Sequence, residues 1–469
     1  MTMKTLTLRT VRDITGGEYI GDPEFLDHSI SSVVRDHREV IKDSLFLCFP
    51  GERVDGHDYA DAACAAGSIA CLAEKSLPLT GKPYVLVPST FEAVKSLAMY
   101  YRSLFSIPII GITGSAGKTT TKEMIAAVLS RKFRVHKTTA NYNNELGSSL
   151  TLLSMDEDTE IAVVEMGINR FGEMDQIARM VQPTACVFTN VGRSHLEFLG
   201  SPEGVLRAKS EIFSHMDRSA QVFLNGDDAL LARLSLPNPV ILYGLKDTNH
   251  VFATDIVNPG VNELNFVMHH DGLSIPVSMP AYGHCLAIAA MAAAAVGREF
   301  GLTDAEIVEG LRHYRSIGGR SAIVRTKNIT IIDDSYNANP NSVEAGIESL
   351  ADLPGRHVAI LGDMKELGGS QEIALHKEVG EYAAAHGVDV LLCCGDNARY
   401  IHEGACQCQQ EPAPHHEPVE SHFYDNKPDL YDEFPGLLRQ GDVVLVKASN
   451  SMRFFEIVDK IREWSDRFF

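Results

Sequence analysis

The chain has 469 residues, of which 45% are hydrophobic and 22% charged, with 37 Gly and 20 Pro; this composition fits about three folded domains and excludes a collagen, a coiled coil or a disordered tail. Lys and Arg number 42 against 62 Asp and Glu, a formal net charge of -20. Such a balance disfavours an extended nucleic-acid-binding face, whose affinity rests on positive charge at phosphates, but leaves room for a nucleotide, which needs only a local nest of N–H groups. The N-terminal sequence lacks the apolar core of a signal peptide, and no run of 18 apolar residues occurs. The expectation is a cytoplasmic protein without membrane insertion, and nine scattered cysteines fit a reducing compartment.

In chain order, short β-like runs at 44–49, 69–72 and 84–87 surround a helix at 59–66 and turn-forming residues at 50–56, predicting a small α/β domain over 1–88. A helix is expected over 90–104. The run IPIIGI at 107–112 reads as a buried strand that leads through a glycine-rich loop into a helix over 120–129. Strands at 161–164 and 185–189, with weaker ones at 222–224 and 240–243, alternate with helical sequence, the pattern of a mainly parallel sheet covered on both faces. The stretch 251–280 reads as antiparallel β. The alanine-rich 287–297 reads as a closely packed helix, and 304–312 as another, completing a second domain over 89–320. A third βα series over 321–469 has strands at 329–332, 358–361, 388–393 and 443–447 and helices at 341–350, 373–386 and 453–465. The segment 405–422, rich in Pro, Gln, Glu and His, reads as an exposed loop. Its Cys406, Cys408, His415 and His416 lack a second Cys pair, so a solvated loop is preferred to a zinc site.

The sharpest chemical signal is TGSAGKT at 113–119, between a strand and a helix. Glycines let backbone N–H groups converge on phosphate oxygens, and the helix N-terminus adds unpaired donors and a favourable dipole. Gly114 and Gly117 supply the turn, Lys118 the β/γ-phosphate contact and Thr119 a hydroxyl for Mg²⁺, with Ser115 and Thr120 flanking. Gly111 stands six positions before Gly117 rather than the usual five. ATP binding follows, but not the group to which phosphate passes. Glu165 ends a buried strand, where ligands bind in such sheets, and is either a Mg²⁺ ligand or a solvated acid. His195 follows the next strand and is a metal ligand or a satisfied histidine. Lys209 reads locally as an ordinary helical lysine. Asn141, Asn143 and Asn144 suit peptide or sugar recognition, or a capped loop. Arg320 suits a phosphate clamp. Asp333, Asp334, Asn337 and Asn339 follow a buried strand and form either a crevice lip or a capped turn.

Together these segments resemble the Mur ligase family, ATP-dependent amide-forming enzymes of peptidoglycan precursor synthesis, from about Val33 to Ile457. The strings DDSYNANP at 333–340 and LGDMKELG at 361–368 resemble most the member that acts last in the cytoplasm. The resemblance implies a three-domain α/β architecture: a UDP-substrate domain, a central P-loop ATPase domain and a C-terminal Rossmann-like acceptor domain. It implies ATP and Mg²⁺, UDP-N-acetylmuramoyl-tripeptide and D-alanyl-D-alanine as substrates, an acyl-phosphate intermediate, and a monomer without nucleic-acid partner. It further implies Thr119, Glu165, His195 and a carbamylated Lys209 at the metal, Lys118 and Arg320 at the ATP phosphates, Asp334 at the ribose, and Asp36, Arg38 and the asparagines at the nucleotide-peptide substrate. The chain departs from the family pattern at His37, Cys285, Ile288, Ala448 and Asn450. These departures motivate the alternative of a related ligase with a different acceptor. A non-catalytic nucleotide-binding scaffold is the remaining class, against which Lys118, Glu165, His195 and Lys209 stand.

Overall fold

A computed structural model of the chain describes residues 3–51, 54–79, 81–260, 262–369, 371–408 and 418–468. Three sheets follow one another along the chain. The first has five strands in the order Glu18–Ile20, Tyr84–Leu86, Ser68–Ala73, Ser44–Leu47, Ser32–Val34, parallel except for the edge strand Glu18–Ile20.

The central sheet has nine strands. Ile109–Thr113 lies between Ala185–Phe188 and Ile161–Glu165, all parallel. Gln221–Asn225 and Val240–Gly244 continue the parallel order, as the weaker sequence signals predicted. The antiparallel stretch is three strands, Val251–Gly260, Glu263–His270 and Leu273–Met279, which extend this same sheet. Continuous apolar strands such as Ile109–Thr113 are buried along their whole length, because helices cover both faces.

The alanine-rich helix runs His284–Glu299 and is almost entirely buried. Its small residues bring it close to the helix Lys118–Leu129 that opens at the glycine-rich loop. A Cβ on Gly297 would lie 2.8 Å from Val128 Cγ1, and one on Gly310, in the helix Asp304–Arg312, 2.5 Å from Val128 Cα. Thr303 and Glu306 close a reciprocal capping box at the start of Asp304–Arg312. The loop-bearing helix is therefore seated closely on two neighbours, through the Val128 side chain on one and its backbone on the other.

The C-terminal sheet has six strands in the order Ala322–Arg325, Thr330–Asp333, Val443–Lys447, His357–Gly362, Val390–Cys394, Glu420–Tyr424, parallel except for the first pair. The expected loop 405–422 is corrected at both ends. Residues up to Cys408 belong to the helix Ala398–Cys408, and Glu420–Tyr424 is a strand paired with Val390–Cys394. Its composition misled because the strand is short and only half-buried. His415 and His416 lie outside the described residues. Helices Glu145–Leu153, Glu173–Val181 and Lys427–Leu437 are additions to the sequence reading. All nine cysteines are free, and no described helix is long and apolar enough to cross a membrane.

Buried His376 shows how the C-terminal unit fixes one of its loops. Its Nε2 accepts from the Met364 N–H at 3.0 Å, while Nδ1 lies 2.6 Å from the Glu372 carbonyl to which it donates. Burial pulls its pKa below the ordinary histidine value, so the neutral ring belongs to the folded state. The unfolded chain therefore binds the extra proton first, and stability falls as pH drops below about 6.5. A thermal melting series should show the melting temperature declining across that window, with a shallower decline in His376→Gln, which has no proton to gain.

Candidate active site

The glycine-rich loop is braced from the neighbouring strand end. Thr189 Oγ1 donates to the Ala116 carbonyl at 2.6 Å, Asn190 Oδ1 accepts from Ala116 N at 2.9 Å, and the Asn190 carbonyl accepts from Ser115 N at 3.0 Å. Gly114 has φ +146°, and a Cβ there would sit 1.9 Å from Thr189 Oγ1. Gly117 has φ +76° with open space where a Cβ would be, so the loop needs glycine at both points and leaves room at the helix N-terminus for an anion. Lys118 donates back to the Gly114 carbonyl at 2.8 Å. Desolvation pulls its pKa below the ordinary lysine value, with Glu165 opposing and Arg320 assisting. Ser115 Oγ accepts from Gly192 N at 2.9 Å, which gives this side chain a bracing contact. Thr120 lines the cleft beside it.

Beneath the loop, Thr119 Oγ1 donates to Glu165 Oε2 at 2.7 Å, and Asn143 Nδ2 donates to Glu165 Oε1 at 2.8 Å. Glu165 is 1% exposed, so the solvated-acid alternative fails. Fully buried Lys122 lies 3.7 Å from Glu165 Oε2 and donates to the Thr138 carbonyl. Lys209 is also fully buried, at the end of the helix Pro202–Ser210, and its Nζ has no hydrogen-bond partner among the described residues. Burial and the Lys118 charge hold its pKa well below the ordinary lysine value. The surface-lysine alternative therefore fails as well. His195, in a left-handed backbone at φ +54°, opens the short helix Leu196–Leu199 and lines the same cleft.

The donors here are hard oxygens plus one imidazole, a set that fits Mg²⁺ provided that substrate oxygens complete it. Among the described residues, no three His, Cys, Asp or Glu side chains gather closely enough to hold a metal by themselves. Cys406 and Cys408 accordingly belong to no such group.

The C-terminal unit supplies the opposite wall. Asp333 Oδ2 accepts from Gly319 N at 3.0 Å and Asp333 Oδ1 from Ser335 Oγ at 2.6 Å, so Asp333 organises the turn. Asp334 Oδ1 accepts from Ser321 N at 3.0 Å, and its Oδ2 meets Lys447 Nζ at 2.5 Å. Between these clasps, Arg320 stacks on the Tyr336 ring with 3.8 Å from Cζ to the ring centre. Lys447 also donates to the Asn337 carbonyl. The two walls enclose a cleft of about 700 Å³, into which Lys118, Glu165, His195, Arg320, Asp334 and Asn337 all face. Cys285 and Ile288 line it too, giving an apolar wall where the resemblance expects amides.

Other expected residues have local duties. Asn144 caps the helix Glu145–Leu153, accepting from Gly147 N, and Asn339 caps Pro340–Ala351, accepting from Ser342 N; for both, the capped-turn alternative accounts for the side-chain oxygen, while the residues still line the cleft. Asn141 is exposed, and its carbonyl accepts from Asn143 N. Asp36 and Arg38 stand apart from the cleft, bound to each other at 2.6 Å. That guanidinium holds the Asp36 carboxyl well below the usual range. Asn450 donates to the Tyr336 carbonyl at 3.0 Å, and buried Ala448 packs where a Cβ on Gly362 would lie 2.8 Å away. Both departures thus have structural partners.

Lys122, Asn190, Lys447, Arg193 and Glu366 were not anticipated individually. Nor was Arg35, which donates to Tyr142 Oη at 3.0 Å and ties the first sheet to the asparagine loop. Glu366 sits inside the string 361–368, Lys447 ends the strand expected at 443–447, and Asn190 and Arg193 fall between the strand at 185–189 and His195, whereas Lys122 and Arg35 carry no distinctive local signal.

The residues 112–297 match the Mur ligase middle domain, and 319–450 match the Mur ligase glutamate ligase domain. The chain is 35% identical over 462 residues to the UDP-N-acetylmuramoyl-tripeptide–D-alanyl-D-alanine ligase of Bacillus subtilis, covering 97% of this chain and 98% of that one. The crystal structure of MurF from Acinetobacter baumannii superposes with a TM-score of 0.86 at 27% identity, covering 99% of this chain and 100% of that chain. MurF ligase from Thermotoga maritima in complex with ADP gives 0.79 at 28% identity, covering 93% and 98%. The chain belongs to the Mur ligase family, in its MurF group.

Proposed function

We infer that this chain is an ATP-dependent ligase that joins D-alanyl-D-alanine to UDP-N-acetylmuramoyl-tripeptide, releasing ADP and phosphate. The observation that carries the reading is the single cleft in which a phosphate loop and a buried carboxylate from the central unit face Arg320 and Asp334 from the C-terminal unit. The division 1–88, 89–320 and 321–469 is supported by one sheet in each part.

The backbone N–H groups after Gly114, with Lys118, bind the β- and γ-phosphates, and Arg320 leaves its stack on Tyr336 to reach the phosphate chain. Asp334 exchanges its Lys447 contact for ribose hydroxyls. Asn143 and Asn144, with Asn141, Asn337 and Asn339, face the nucleotide-peptide substrate, and Asp36 and Arg38 its uridine end. The tripeptide's terminal carboxylate attacks the γ-phosphorus and ADP departs, leaving an acyl phosphate. The amine of D-alanyl-D-alanine adds to that carbonyl, loses a proton, and the tetrahedral adduct expels phosphate to give the amide. The chain's contribution is placement and fixed positive charge in a site shielded from water.

Thr119, Glu165 and His195 would hold magnesium, together with Lys209 as its carbamate. Magnesium, when bound, supplies positive charge at the phosphate oxygens. An amine kept neutral by burial adds carbon dioxide and loses one proton, becoming an anionic oxygen donor. The unpartnered Nζ and lowered pKa of Lys209 support that modification. The structural partners of Ala448 and Asn450 weaken the alternative of a different acceptor.

Phosphate release should require both UDP-N-acetylmuramoyl-tripeptide and D-alanyl-D-alanine, with the pentapeptide nucleotide appearing by mass; turnover with another dipeptide alone would transfer the reading to the alternative. Lys209→Ala should lower kcat roughly a hundredfold or more, ~3 kcal/mol of barrier, and ¹³C-bicarbonate should give a carbamate carbon signal in the wild type that the variant lacks. Asp334→Asn should raise the KM for ATP about ten- to a hundredfold, the worth of a hydrogen bond to a charged group, with a much smaller change in the KM for D-alanyl-D-alanine.

A further inference from the structure

The loop 191–197 is where the central unit meets the C-terminal one. Arg193 places one guanidinium nitrogen 2.5 Å from Glu378 Oε2 and another 2.7 Å from Glu344 Oε1, and its backbone N donates to Asn341 Oδ1 at 2.9 Å. Four residues on, at Glu197, the backbones themselves touch. A Cβ on Gly368, at φ +85°, would lie 3.1 Å from Glu197 Cα. Between these anchors, Glu366 Oε2 stands 2.6 Å from His195 Nδ1, an ion-pair contact whose angle falls short of a hydrogen bond's. Both residues hold left-handed backbones, at φ +54° for His195 and +66° for Glu366. That conformation is uncommon for side-chain-bearing residues and concentrates at functional sites.

A neutral imidazole has one donor and one acceptor nitrogen. A carboxylate beside Nδ1 keeps the proton there and leaves the lone pair on Nε2, the arrangement that orients metal-ligating histidines. Glu366 lies in the string LGDMKELG, and nothing in the phosphoryl chemistry above uses it. We propose that Glu366 is a positioning residue of the metal site: carried by the C-terminal unit, it holds His195 as the Nδ1–H tautomer with Nε2 as ligand atom, so that metal affinity depends on the two units being docked. This rests on the reading of His195 as a metal ligand. A plain docking ion pair would have no bearing on metal affinity.

The test is Mn²⁺ binding to the full-length protein with saturating ADP, read from the electron paramagnetic resonance signal of free Mn²⁺, beside a melting curve for each variant. Glu366→Ala should weaken Mn²⁺ binding about ten- to a hundredfold, the usual effect of removing such an outer partner. Glu366→Gln, whose amide oxygen can take the same place beside Nδ1, should recover most of it. On a His195→Ala background the alanine change at 366 should add nothing. Wild-type affinity in Glu366→Ala, alongside weakening by His195→Ala, would overturn the positioning role. So would a glutamine variant as weak as the alanine one. Wild-type affinity in His195→Ala would instead remove the metal-ligand reading on which the proposal stands.

Discussion

One buried carboxylate answers for a crowd of cations. Glu165 is flanked by Thr119 and Asn143, and Lys122 lies within 4 Å. Lys118 feels its charge, and Lys209 is enclosed nearby without a hydrogen-bond partner among the described residues. Burying an ammonium group without compensation is expensive, and such groups shed their charge or find an anion. The interior around the phosphate loop is therefore electrostatically incomplete in the bare protein. ATP and the substrate's carboxylate are anions of the kind that such an interior takes up.

The C-terminal unit shares in this arrangement instead of merely covering it. Asp333 accepts from Gly319 N and Ser335 Oγ and Asp334 from Ser321 N, so both acids pin the 319–321 segment to the 333–336 turn, and Arg320 and Asp334 line the cleft from that clasp. Two neighbouring acids thus share the holding of one loop. The Arg193 contacts to Glu344 and Glu378 set the distance between the walls, while Arg35 at Tyr142 does the same for the first sheet. The asparagine loop lies between these two junctions, which places it at the meeting point of all three units.

The strand-loop-helix of the phosphate site, the strand ending in Glu165 and the βα rhythm of the last third were legible because each is encoded within a few consecutive residues. Lys209 was legible only through the family resemblance. Its own helix offers no periodic cue, and the burial of its Nζ is decided by elements far away in the chain. Lys447 and Asp334 are 113 positions apart, and Arg193 and Glu378 are 185 apart, so no local pattern pairs them. Helices such as Ala398–Cys408 escaped because Cys, Gln and His blur both the apolar stripe and its end. For Asn144 and Asn339 the sequence left a capped turn and a ligand contact both open, since the two ask for the same side chain, and only the fold shows their capping bonds.

The helix that begins at Lys118 rests near its far end on Gly297, through the Val128 side chain, and on Gly310 at backbone distance. Glycine has no rotamers to exchange, so this seat cannot be retuned by repacking, and any larger residue would shift the far end of the helix that carries the phosphate loop. Other walls of the cleft do have adjustable side chains, among them Cys285 and Ile288 on the cleft face of the adjoining helix. A ligand that discriminates this enzyme from its relatives would gain its selectivity there, against sulfur and hydrocarbon, and not at the phosphates.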